Sequence, residues 1–478
     1  MKRLFPLILF LTGAAGQAQT PSTAPGNEGR VASDFRREWQ QLHPCSGESA
    51  GTCQAASLGN LVDIGQTLFT GQPLHIAAGS LAPQNGFGVG AAFVEHTDFP
   101  NEWRLTYNTD AVASPNGSWR AGFYLKAYRL AGGKIVVVQG PGKKQSPLFH
   151  TAPLFNVYAE ADSLNKLYYY GLGPNTVPAG QSAFGITETI AGASAIVPLG
   201  AGGISFLGEI NGRVPRLRGD HGESVPSIEQ IYTNATSPGL SSQPAFVEPG
   251  IGARMEPTLF AGYLRLNYLA EFQDYSGVGG SGSSFRRWTA DLHHQIPMDT
   301  KVRLTAASDQ NGPDSCAPTP EVACASPVHV SSAMNHEGAI DFRLLMIGSA
   351  ASAGNAVPFY FDPTVGGSDI NGQALLPSYP DYRFRAPNVM LLTESIEHAV
   401  PKLPLGVYFS VDEGKAALTR GDIDFGNLQR SYTAGVTVHA GGLPLVYLLF
   451  AWGGNEGHHI TFDVSNVLLG ASARPSLF

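Results

Sequence analysis

Several groupings in this sequence carry residue types that perform chemistry elsewhere, so their spacing decides what they can do here. Gly192-Ala193-Ser194-Ala195-Ile196 is half of a nucleophile elbow, but its last position is not glycine and no helical pattern follows it. It reads as a strand interior made of small residues. Gly140-Pro141-Gly142-Lys143-Lys144 places lysine after glycine as a phosphate-cradling loop does, yet lacks the spacing and the hydroxyl of that motif. It reads as a turn. His293-His294 and His458-His459 have metal-binding side chains, but neighbours on a strand point to opposite faces and cannot chelate one ion. Arg265, Glu271, Arg287, Asp291 and Asp463 have the charges of acid–base machinery, and fit a solvated, mutually neutralising lining better. Cys45 with Cys53 and Cys316 with Cys324 form two local pairs, neither in a Cys-x-x-Cys arrangement nor interleaved with histidine. In an exported chain they read as two small disulfide-closed loops. No catalytic residue, metal site or cofactor is predicted, and the chain is not read as an enzyme.

The elements that must position these residues follow from composition and period. Only 14% of the 478 residues are charged and 57 are glycine, while 43% are hydrophobic and 10% aromatic. Ordinary soluble domains carry roughly a quarter charged residues. The net charge of −8 and the lack of a large basic block argue against a nucleic-acid partner. Met1-Lys2-Arg3, the apolar run Leu4–Leu11 and the small residues through Ala18 read as a cleaved signal peptide over residues 1–18. Residues 19–84 read as an N-terminal periplasmic extension, with a Pro/Gly/Ser/Thr lead, the first cysteine pair and a short helix. Ser33 would precede that helix, with Phe35, Trp39 and Leu42 on one face. Beyond residue 18 the longest apolar run is Leu443–Trp452, about ten residues and too short for a membrane helix.

From residue 85 to 478 the dominant period is two. Trp119, Ala121, Phe123, Leu125 and Ala127 alternate with Arg120, Gly122, Tyr124, Lys126 and Tyr128. Trp288, Ala290, Leu292 and Ile296 alternate with Arg287, Thr289, Asp291, His293 and Gln295. Similar patterns start at Trp103, Leu264 and Ile460. Such strands exceed the ~5–6 residues of soluble sheets, and their polar faces carry charge. An apolar outside with a polar inside predicts an all-β fold, a transmembrane antiparallel barrel. At about 24 residues per strand and connection it has about sixteen strands, an even number as bacterial barrels require. Short connections such as Pro297–Thr300 would be periplasmic turns, and the long ones at 218–250 and 306–330 external loops.

Several motifs, in order, resemble the bacterial surface antigen family, which contains the BamA and TamA barrels. Tyr168-Tyr169-Tyr170-Gly171-Leu172-Gly173-Pro174-Asn175-Thr176 is similar to its aromatic-Gly-x-Gly-Asn segment. Gly366, Gly367, Asp369, Ile370, Asn371 and Gly372 lie in a stretch similar to its luminal-loop signature, and Phe409–Gly414 resembles a strand motif that follows it. The likeness runs from about residue 75 to 470. It implies five strands after the signature loop and a loop that folds into the lumen and gates it. Candidate anchors of that loop are Arg383, Arg385, Asp412 and Glu413. It also implies a weak seam between first and last strands, here the segments near Gly88–His96 and Ile460–Leu468. Two departures stand out: Asn371 occupies the position of the family's loop arginine, and residues 19–84 hold no POTRA pattern. The function implied is outer-membrane protein assembly or polypeptide translocation; the rival reading is a passive pore or structural scaffold. Expected partners are outer-membrane lipid and either unfolded outer-membrane proteins or a periplasmic protein, with the barrel acting as a monomer in the cell outer membrane.

Overall fold

Alternating side chains can bury their polar half only if the sheet curls onto itself, and that is the architecture observed. The computed structural model describes residues 35–36, 39, 73–99, 103–129, 153–199, 203–220, 225–279, 282–300, 335–401, 403, 405–440, 443–454 and 456–464. The signal-peptide segment and all four cysteines lie outside the described residues. In chain order the strands are β1 Leu74–Ser80, β2 Phe87–Asp98, β3 Trp103–Ala113, β4 Trp119–Arg129, β5 Leu154–Tyr169, β6 Ser182–Pro198 and β7 Ile204–Gly219. Next come β8 Phe246–Met255, β9 Thr258–Leu259, β10 Leu264–Gly277, β11 Phe285–Thr300 and β12 Asn335–Ala351. The last are β13 Thr364–Val365, β14 Phe384–Arg385, β15 Asn388–Ala399, β16 Leu405–Ala417, β17 Gln429–Ala440, β18 Leu443–Trp452 and β19 His458–Val464.

Apart from β13 and β14, which form a separate two-stranded pair, the strands form one antiparallel meander in which each wall strand pairs with the next. Both β8 and β9 pair with β10, so they are one strand interrupted at Glu256-Pro257. The seventeen segments of the main sheet therefore make sixteen wall strands. Five of them, β15 to β19, follow the signature loop. Strands run to 17 residues in β6 and β12. Cα atoms of β1 and β19 come within 8 Å of each other, but no ladder joins them among the described residues. The fold is a transmembrane antiparallel β-barrel; no described helix is long and apolar enough to cross a membrane.

Two details differ from expectation. The first wall strand is β1, inside the stretch assigned to the extension, and the Gly88–His96 strand is the second. The sequence of β1, Leu-His-Ile-Ala-Ala-Gly-Ser, is small and nearly free of polar residues, so it lacks the contrast that marks the other strands. The two long connections also leave from opposite ends, because three wall crossings separate them: β8 with β9, then β10, then β11. The connection after β7 shares its end with the signature loop, and the one after Thr300 starts at the other.

Register fixes the two faces. Trp119, Ala121 and Phe123 pair with Ala113, Ala111 and Thr109, and Trp119 and Phe123 are exposed on the outer face. Between them Arg120, Asp110 and Glu160 point inward and are buried. Helical residues Phe35, Arg36 and Trp39 lie where the short helix was expected, with the Phe35 ring 6.4 Å from Phe93 of β2.

Candidate functional site: the luminal plug and its clasp

The connection from β12 to β15, residues 352–387, enters the barrel and forms a plug. One side of it is an aromatic wedge, Phe359-Tyr360-Phe361, in a single 3-10 turn. Phe359 packs 4.9 Å from Tyr169 of β5 and 5.3 Å from Phe184 of β6. Phe361 lies 5.0 Å from Phe246 of β8, 5.2 Å from Tyr275 of β10 and 5.6 Å from Phe285 of β11. Both Phe359 and Phe361 are fully buried. Aromatic faces and edges in such arrangements attract beyond the area they bury. Arg287 of β11 stacks over Tyr275 and donates to the Phe361 carbonyl, so the cation expected in the lining also fastens the wedge.

The other side of the plug packs on β12, β15 and β16. Val365, Leu375, Leu376 and Phe384 form a second apolar cluster with Leu345, Val389, Leu391 and Ala416. Tyr379 donates to Gln429 at 2.8 Å, and the Ser378 amide donates to Ser431 Oγ at 2.9 Å, tying the plug to β17. The plug thus spans the barrel from the β5–β11 half to the β12–β17 half.

The signature glycines make the reversal that brings this chain back on itself. Gly366 (φ +109°) and Gly367 (φ +62°) adopt backbone conformations that disfavour side chains. A Cβ on Gly367 would sit 2.5 Å from the backbone of Asp381. Gly366 and Gly367 donate to the carbonyls of Leu375 and Leu376, and Asp369 Oδ1 accepts from the Gln373 amide at 2.7 Å, closing a hairpin with Ile370-Asn371 at its tip. Beside that tip the Gln373 side-chain Oε1 lies 3.4 Å from both terminal nitrogens of Arg343 on β12. Arg343 itself makes a two-point ion pair with Asp291, at 2.9 and 2.8 Å. At this contact the wall supplies the cation and the loop an amide oxygen.

Three consecutive residues at the neck of the plug reach the strands on both sides of the β1/β19 gap. Asp381 Oδ2 accepts from Gln84 Nε2 at 2.8 Å, and Tyr382 donates to the Pro83 carbonyl at 3.0 Å; both partners are in the β1–β2 turn. Arg383 makes a two-point pair with Glu456 in the β18–β19 turn, 2.6 Å from Nε and 2.7 Å from Nη2. It also donates to the side chain and carbonyl of Thr176 at 2.7 Å each, and its guanidinium stacks 5.0 Å from the Tyr170 ring centre. The aromatic-glycine segment and the signature loop, far apart in sequence, meet here: Gly173 also bridges to Arg385, its amide donating to that residue's carbonyl at 2.8 Å. Charge-assisted two-point pairs of this kind fix orientation as well as distance.

The other proposed anchors are placed differently. Arg385 is buried within the plug and donates to the carbonyls of Phe359 and Asp362. Burial pushes the Asp362 carboxyl up to about 8, against the pull of Arg385 and Arg287. Asp412 faces inward but takes its hydrogen bonds from Thr393 and Ser410 of the wall. Glu413 faces outward, as parity requires, and pairs with Arg430 at 2.6 Å. The residues the sequence reading missed are Phe359, Tyr360, Phe361 and Glu456; an uninterrupted aromatic triplet in a Gly/Pro-rich connection was the available signal. Cavities of about 550 and 410 Å³ occupy the barrel interior, the larger lined in part by the plug, and share Leu269, Asp291 and Arg343. Arg213 with Glu188 at 3.1 Å and Glu248 forms a buried ion network in this interior. His293 faces Asp341 at 2.9 Å inside, and its neighbour His294 faces Tyr268 outside. Ser194 accepts from Asn156 in a continuous strand.

Wall, plug and neck define a plugged transmembrane barrel whose plug is fastened on both sides of its first and last hairpins. No family model and no curated protein matches the chain. Among solved structures it is similar to BamA from Haemophilus ducreyi lacking POTRA domains 1–3, at TM-score 0.46 and 12% identity, covering 82% of this chain and 69% of that one. It is also similar to CdiB from Escherichia coli, at TM-score 0.46 and 10% identity, covering 82% of this chain and 62% of that one.

Proposed function

We propose that this protein resides in the outer membrane and inserts or translocates polypeptides, using the β1/β19 seam as the working edge and the plug as its gate. The observation that carries the reading is the neck: Asp381 and Tyr382 hold the first hairpin, and Arg383 holds the last. Among the described residues no ladder joins β1 to β19, and strand edges that part at such a seam can template an incoming strand. Withdrawal of the neck frees both edges at once and opens the lumen, so one movement serves both steps. A passive pore has no use for a plug tied to the seam.

The deciding experiment depletes the protein, measures insertion of other outer-membrane proteins, and records single-channel conductance of the purified barrel. The reading expects slowed insertion and a closed resting state with rare openings. Normal insertion with a steady open conductance overturns it in favour of the passive pore; normal insertion with a permanently closed barrel overturns it in favour of a scaffold.

A further inference from the structure

Glu394 stands near the centre of β15, paired with Phe342 on β12 and Val411 on β16. Register puts it on the outer face, between Leu392 and Ile396 on its own strand, and its side chain is exposed. No hydrogen bond or ion pair reaches it among the described residues. Carboxylates facing acyl chains are unfavourable, and ionisable residues in a membrane span ordinarily have a partner.

The same row of the wall holds a complement. Phe342 pairs on its other side with His294 of β11, so His294 and Glu394 flank Phe342 symmetrically, one strand to each side. The imidazole Nε2 lies 2.6 Å from Tyr268 Oη. With the phenol donating, the imidazole carries its proton on Nδ1 and can give it to an acceptor. We propose that this face is an interface between two copies of the chain in the membrane, with Glu394 of each meeting His294 of the other. A twofold axis along the membrane normal beside Phe342 sets His294 of each copy on the same side as Glu394 of the other, the two displaced along the normal by the strand tilt, which is the self-complementary pattern of an isologous contact. Phe342, 38% exposed, stacks on its own copy at the axis. Sheets packed face to face lie ~10 Å apart, within the combined reach of a glutamate and a histidine side chain. A second copy is favoured over another protein because acceptor and donor stand in one row at equal offsets.

The test places a photo-crosslinking p-benzoylphenylalanine at Phe342 in the full chain, expressed in its outer membrane, and reads adduct mass on gels. An adduct of twice the chain mass is expected, falling about threefold to tenfold with Glu394→Leu or His294→Leu, the range of polar pairs between membrane segments. The exchanged double variant, Glu394→His with His294→Glu, recovers the adduct. Both leucine variants remove a polar group from the lipid face, so they keep the heat-modifiable gel shift of a folded barrel. No adduct, an adduct of another mass, an adduct indifferent to Glu394, or failure of the exchange to recover it overturns the proposal.

Discussion

Substituting Phe361 by alanine tests whether the plug is held by its aromatic wedge. The side chain is fully buried, with three wall rings between 5.0 and 5.6 Å away on β8, β10 and β11. Phe→Ala at such sites costs about 3–5 kcal/mol, from lost transfer energy and the cavity left behind. None of that loss falls on the wall ladders, which are backbone hydrogen bonds between strands. It falls on the equilibrium between docked and released plug, and at about 1.4 kcal/mol per tenfold it shifts that equilibrium by about two to nearly four decades. Planar-bilayer recording reads this as open time, and uptake of a large antibiotic by expressing cells reads it in vivo. The heat-modifiable gel shift should be unchanged, and Phe425→Ala, at a residue 70% exposed, is the control that should leave conductance alone. A Phe361→Ala barrel that folds normally but stays closed as the parent does would refute the wedge as the anchor.

Arg383→Lys should loosen the neck, because an ammonium cannot reproduce the two-point contact with Glu456 together with the two bonds to Thr176; each charge-assisted bond lost costs about 1.5–3 kcal/mol, and limited proteolysis of residues 352–387 reads it. Glu413→Gln should change little, since its Arg430 partner is 60% exposed and surface pairs contribute about 0–1 kcal/mol; a loss of thermal stability matching that of Arg383→Lys would contradict the placement. Gly367→Ala should increase protease access to the plug at unchanged barrel content, because the added Cβ meets the Asp381 backbone. For Asp362 the folded carboxyl sits near 8, above its unfolded value, so docking is favoured below the unfolded pKa and weakens as pH rises towards and through 8. Conductance measured from pH 5 to 9 should show openings increasing with pH, and Asp362→Asn should flatten the profile.

The wall was legible because alternation is a direct imprint of two solvents on one strand: Trp119 to Ala127 and Trp288 to Ile296 state their faces without reference to the rest. The strand count follows from the spacing of those patterns, and the five strands after the loop from the resemblance. What escaped is what alternation does not encode. Strand β1 has side chains too alike to show a period, and Glu413 was read with its neighbour Asp412 although parity sends the two to opposite faces. The wedge depends on contacts between residues about 75 to 190 positions apart, which no local pattern carries. Arg383 was visible as a candidate, but Glu456 was not, since a lone acid in a short turn has no motif.

The neck has a thermodynamic consequence. Asp381, Tyr382 and Arg383 join plug docking to closure of both seam hairpins, so the two equilibria are linked, and linkage is reciprocal. Whatever binds the docked plug more tightly than the released one must strengthen the seam by the same factor. Conversely, a strand that captures the seam edges weakens plug docking by as much as the docked plug weakens capture. If the seam works as proposed, a strand captured at the membrane edge and a ligand held at the plug would be antagonists through a shared free energy, although they need never touch the same residue.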